Sequence, residues 1–209
     1  MIKDLPLFPL NLVCFPGEHL NLHVFEPRYK QLVNECIEDN STFGIPAYIN
    51  NRLELGTEVE VKEVTKRYKD GRLDIKTLGI AVFEVISYQN PAKDKLYSNG
   101  TVRIKKIDLS PNEAKLDEIR ELMGQFYETI NVENPFPPST EQTSFTFAHK
   151  IGFSIDEEYS LLKMKGEDER LDFIIAHLTK TIPLVEEIEN TKTKIAMNGH
   201  FKKLGPIDF

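Results

Sequence analysis

Residues 5–33 read LPLFPLNLVCFPGEHLNLHVFEPRYKQLV. The opening is apolar enough to pass for an export signal, but Asp4 offsets Lys3, and Pro6, Pro9 and Pro16 interrupt the helix such a signal needs. A residue preceding proline is pushed to extended angles, so Leu5 to Leu10 reads as strand. Pro16-Gly17 marks a turn. Leu20, Leu22 and Val24 then alternate with Asn21, His23 and Phe25, the period of a half-buried strand. Pro27 suits a first helical position. After it, Tyr29, Leu32, Val33, Cys36 and Ile37 form one stripe of a short amphipathic helix. The stretch therefore predicts strand, turn, strand and helix, which is the start of a folded domain. No segment reaches the roughly 18 apolar residues a membrane span requires, so no membrane partner and a cytoplasmic location are expected.

Downstream, strands are predicted at 42–49 and 57–68, with Asp70-Gly71 as a type I′ hairpin turn between the second of these and Leu73 to Ile86. Apolar residues point both ways from Leu78 to Val85, the pattern of a central strand with a bulge at Gly79. Thr101 to Leu109 closes the sheet. The texture switches at residue 110. Ser110-Pro111-Asn112-Glu113 reads as a capping box ahead of Leu116, Ile119, Met123 and Phe126 at helical spacing. Ser154-Ile155-Asp156-Glu157 is a second box, and after Gly166 a long helix is predicted, with Pro183 inside it and Asn198-Gly199 at its end. Strands followed by helices mean α+β. The expected division is a β-rich subdomain with one short helix at 1–109 and an all-helical subdomain at 110–209.

The 209 residues carry a net charge of −7, which opposes a nucleic-acid partner unless basic residues cluster. They do so only from Lys62 to Lys76, where six basic residues face three acidic ones, and a solvated strand face accounts for that excess. Two cysteines, Cys14 and Cys36, are too few for a zinc or redox motif. The eleven glycines make neither a dinucleotide fingerprint nor a phosphate-cradling loop, and no metalloprotease or serine-hydrolase signature is present. His19 and His23 stand four apart on a strand, where that spacing creates no shared coordination point. His149 and His177 show no matching carboxylate pattern and read as surface or core residues. No catalytic, cofactor-binding or metal-binding residue is expected.

Some residues stand out nonetheless. Glu26 and Arg28 bracket Pro27, and a carboxylate beside a guanidinium is a weak general base. As structure, the acid is expected to meet the helix amides and the arginine to bond nearby carbonyls. Phe136 sits among Pro135, Pro137 and Pro138 and is either displayed to a partner or plugged into the seam between the halves. Phe145 and Phe147 are further candidates for partner binding, with core packing as the competing reading.

Taken in order, Leu5-Pro6-Leu7-Phe8-Pro9-Leu10, Phe15-Pro16-Gly17, Val24-Phe25-Glu26-Pro27-Arg28-Tyr29, Phe43-Gly44-Ile45, Leu55-Gly56-Thr57-Glu58-Val59 and Asp70-Gly71-Arg72-Leu73-Asp74-Ile75 resemble the Lon N-terminal domain family, and Leu161-Leu162 with Glu169-Arg170-Leu171 continue the likeness. One departure is the apolar run Gly79-Ile80-Ala81-Val82-Phe83, where many relatives carry arginine before the aromatic. The resemblance implies a PUA-like β-rich subdomain followed by a helical bundle. It gives Phe25, Glu26, Pro27, Arg28, Tyr29 and Gly71 structural roles. In full-length Lon proteases this domain precedes ATPase and peptidase modules and helps capture unfolded or tagged substrates. This chain ends where the ATPase would begin, so a form without those modules is expected, and a protease label would be inherited from longer relatives. The expected function is non-catalytic recognition of unfolded or extended polypeptide, or an adaptor role beside a protease or chaperone component, with self-association open. The alternative is RNA binding, by analogy with PUA-like folds and through the basic hairpin. A hydrolase with an unrecognised site is the third reading.

Overall fold

The computed structural model describes residues 1–110, 112–133 and 142–201. Within them the order is β1 (Ile2–Leu7), β2 (His19–Val24), α1 (Pro27–Glu38), β3 (Phe43–Pro46), β4 (Leu55–Arg67), β5 (Leu73–Val85), β6 (Ser98–Ile104), α2 (Glu113–Thr129), α3 (Ser144–Phe147), a 3-10 turn (Ala148–Lys150), α4 (Ile155–Lys163) and α5 (Glu167–Phe201). The α+β expectation holds, with strands in the N-terminal part and helices in the C-terminal part.

The strands form one sheet in the order β2-β5-β4-β3-β1-β6, and β6 returns to pair with β5. β5, β4, β3, β1 and β6 therefore close a ring, while β2 hangs from β5 outside it. Every pairing is antiparallel except β1 with β3. β5 makes this possible by serving different neighbours along its length, β2 at Leu73–Leu78 and β6 at Phe83–Val85. Its bulge falls where the sequence places it. Val59 pairs with Gly79 and Glu58 with Ala81, so Ile80 is the extra residue and the strand bends there. Gly79 donates to the Glu18 carbonyl and accepts from the Gly17 amide, both at 2.9 Å. A methyl group at this position would overlap the Phe15 carbonyl oxygen, so glycine is required by close approach.

Leu5, Leu7, Phe83 and Val102 pack within the ring. A second cluster joins α1 to the sheet through Tyr29, Leu32, Val33 and Cys36 against Phe43, Val59 and Ile75. The β4–β5 turn differs from the expected type I′. Gly71 has φ +82° but Asp70 does not have positive φ. The Gly71 amide donates to the Tyr68 carbonyl at 3.0 Å and the Tyr68 amide to Arg72 at 2.9 Å. This is a type I turn closed by a left-handed glycine, a combination that lets one residue carry all the conformational demand.

By contact density the chain divides into two compact units, Met1–Leu109 with Phe145–Glu167, and Ser110–Ser144 with the chain from Asp168 onward. Ser110 is one boundary of this division. The 3-10 turn and α4 group with the strands, because Phe15 stacks on Phe145 at 5.1 Å and lies 5.0 Å from the His149 ring. In the second unit, α2 begins later than the sequence suggests. Asn112, rather than Ser110, is the cap, its side chain accepting from the Lys115 amide at 3.3 Å. The Ser154–Glu157 capping box forms as predicted. Arg170 is fully buried and its Nε donates to Ser144 Oγ at 2.8 Å, while Arg120 Nε donates to Gln142 Oε1 at 2.8 Å. Leu171, Ile174, Leu178 and Ile182 form the buried stripe of α5. That helix runs to Phe201, past the expected stop at Asn198-Gly199, since an interior glycine weakens a helix by about 1 kcal/mol without ending it.

Candidate recognition surface

β2 leads directly into α1, and the junction builds one end of the sheet unit. Glu26 is the N-cap in extended conformation, and its carbonyl accepts from Tyr29 at 3.0 Å and Lys30 at 2.9 Å. Its carboxylate does not cap the helix. It holds Arg28 instead, through Nε at 3.0 Å and Nη2 at 2.9 Å. This corrects the expected bonds from acid to amide and from arginine to carbonyl. Pro27 removes one N–H from the first turn, and a guanidinium two residues away offers a charge-assisted pair that the remaining amides cannot match. The Arg28 guanidinium lies 4.4 Å above the Tyr29 ring. Tyr29 is buried and stacks on Phe8 at 3.6 Å, and burial raises its hydroxyl pKa. Lys30 Nζ donates to the Asp70 carbonyl at 3.2 Å, tying α1 to the hairpin beside Gly71. The residues from Phe25 to Tyr29 and Gly71 thus meet at one end of the sheet.

Phe25 is the exposed member, with 58% of its surface accessible. Its ring lies 5.9 Å from His23, whose Nδ1 is 2.5 Å from Asp74 Oδ1. The Tyr68 hydroxyl donates to the other Asp74 oxygen at 2.8 Å. These bonds, His23's first, hold the Asp74 carboxyl below its ordinary pKa. Lys66 and Arg72 cover the Tyr68 ring at 4.5 and 4.8 Å. His23, Asp74 and Lys66 are register partners on neighbouring strands, so charge is laid across the sheet in one row.

The other candidates fall elsewhere. Phe145 is 5% exposed and Phe147 0%, so both are core in the sheet unit and present no ring to a partner. Phe136 lies outside the described residues. His149, read as lacking a carboxylate pattern, in fact has two partners. Its Nδ1 is 2.7 Å from Glu158 Oε1 and its Nε2 is 3.2 Å from Glu18 Oε2. Burial opposes its charge, but hydrogen bonds to Glu158 and Glu18 overcome that and raise its pKa to about 10. Glu158 is nine residues away and Glu18 is 131 away, so only the fold could reveal the second. His177 meets Thr181 Oγ1 at 3.3 Å. Among the described residues no group of three or more His, Cys, Asp or Glu side chains is placed to hold a metal ion, and no helix is long and apolar enough to cross a membrane.

A strand ring with an appended strand, followed by helices, defines a protein of the α+β class. The model of the ATP-dependent protease La (LON) substrate-binding domain matches residues 4–180, and the chain belongs to that family. A Lon N-terminal domain protein from Xanthomonas campestris is similar at 26% identity with a TM-score of 0.61, over 83% of this chain and 98% of that one. The N-terminal domain of the Mycobacterium avium complex Lon protease shares the fold at 12% identity and a TM-score of 0.58, over 85% of this chain and 98% of its own.

Proposed function

We propose that this chain recognises proteins without catalysing a reaction, gripping unfolded or extended polypeptide or bringing it to a cytoplasmic protease or chaperone. Membership of a substrate-binding family supports recognition in general. The single observation that favours this end of the sheet is Phe25, a large apolar ring held in water beside the Glu26–Arg28 pair and the Lys30 bond to the hairpin. An aromatic anchor of this kind is what recognition surfaces concentrate their affinity in.

The test is fluorescence anisotropy with labelled, reduced and carboxymethylated α-lactalbumin, which stays unfolded. Binding is expected for the native chain and should weaken roughly tenfold in Phe25→Ala. No binding above a folded acidic control, or equal binding by the variant, overturns the assignment. ATP hydrolysis or peptide cleavage by the purified protein would overturn it from the other side. The basic hairpin gives the RNA reading little help, since Lys66 and Arg72 already lie over the Tyr68 ring, where a base would have to stack.

A further inference from the structure

We propose that the outer edge of β2 takes up an extended polypeptide as an additional strand, and that the segments it favours are acidic where they reach the hairpin end. This rests on the polypeptide-binding reading above and specifies how the segment is held.

β2 is the end strand of the sheet and pairs with β5 residue for residue from His19–Leu78 to Val24–Leu73, with no register shift. Among the described residues no backbone group of His19–Val24 bonds any element other than β5. In an antiparallel pair every second residue directs its N–H and C=O away from its partner. β2 therefore presents a regular row of unpaired donors and acceptors, and an extended chain is the partner that matches such a row.

An open edge invites aggregation, and folds usually blunt one that serves no purpose. The same sheet shows the contrast. Beyond its pairing with β3, the outer side of β4 is also open from Val61 to Arg67. There the register slips twice, between Val61 and Glu63 and between Val64 and Lys66, leaving Lys62 and Thr65 unpaired. Those bulges break the repeat that an added strand would need. β2 has no bulge, no proline and no lysine. Its outward side chains are His19, Asn21 and His23, while Leu20 and Leu22 pack on the core below.

Charge sets the preference. At the Val24 end, Lys30, Lys66, Arg67 and Lys69 hold no ion pair among the described residues. At the His19 end stands Glu18, already committed to His149. A segment lying along β2 would thus have cations free of close ion pairs near its hairpin end only, with Phe25 just beyond the ladder.

The experiment uses the full chain and a fluorescein-labelled peptide of alternating valine and threonine ending in a run of glutamates. Companion peptides carry lysines in place of the glutamates, or N-methyl groups on one or the other alternate set of residues. The glutamate-ended peptide should bind. Methylation of one alternate set should cost at least about tenfold in Kd, and of the other much less, since only every second amide would face β2. The lysine-ended peptide should bind about tenfold more weakly at low salt, and a Lys66→Glu, Lys69→Glu variant should reverse that order. Equal binding by both methylated series, or failure of every peptide while unfolded α-lactalbumin still binds, overturns the edge and leaves the recognition reading standing. Failure of α-lactalbumin as well overturns both.

Discussion

Two glutamates in the sheet unit face cations at similar distances and in different settings. Glu26 reaches Arg28, its neighbour but one, with both side chains about two-fifths exposed. Glu18 reaches His149 across 131 residues, in company with Glu158, where the three side chains are 22%, 35% and 15% exposed. The first pair links residues the chain already holds together and is screened by water, so it shapes a surface. The second closes a long loop where solvent is scarcer, so it holds structure. Function is better accommodated at the first, where a change of side chain costs little stability.

The sharpest way to break the comparison is at the loop that carries Glu18. Gly79→Ala places a methyl group against the Phe15 carbonyl and should destabilise the protein by about 3 kcal/mol, read from urea unfolding. His149→Ala should cost about 1–2 kcal/mol near neutral pH after allowance for its partial exposure. Its folded pKa of about 10 stands above the ordinary 6.5. The stabilisation is therefore complete below about pH 6.5 and is lost as the pH rises through 10. The difference between native chain and variant should be flat in acid and shrink steadily over that window. A difference that grew with pH would show that His149 is not held as a cation.

At the corner the expected effects are smaller. Gly71→Ala should cost about 1 kcal/mol because an L-residue must enter the left-handed region, although there is room for the methyl group. Arg28→Ala should change stability by no more than about 0.5 kcal/mol, by thermal or urea unfolding. If Arg28→Ala proved as damaging as His149→Ala, the distinction between a surface pair and a structural clamp would be lost.

The sequence was most legible where the physics is local. The stripe of α1, the alternation of β2 and the bulge beside Gly79 each arise from periodicity or from one permissive residue. Closure of the ring was not legible, because Leu7 pairing with Gly44 and Phe83 with Ile104 joins residues that carry no mutual signal. The corner was located correctly, but the Glu26 carboxylate had two nearby claimants, and composition does not rank a guanidinium against amides. Phe145 and Phe147 show the converse difficulty. Two aromatics two residues apart look the same whether they face a partner or a core, and the stack of Phe15 on Phe145 decides only in three dimensions.

The chain passes from one compact unit to the other and back before leaving it again at Asp168. Cloning the strands alone, as residues 1–109, would discard Phe145, His149 and Glu158, and with them the stacking partner of Phe15 and the cation that Glu18 holds. A single break anywhere between Leu109 and Phe145 therefore parts the strands from the segment that completes their unit.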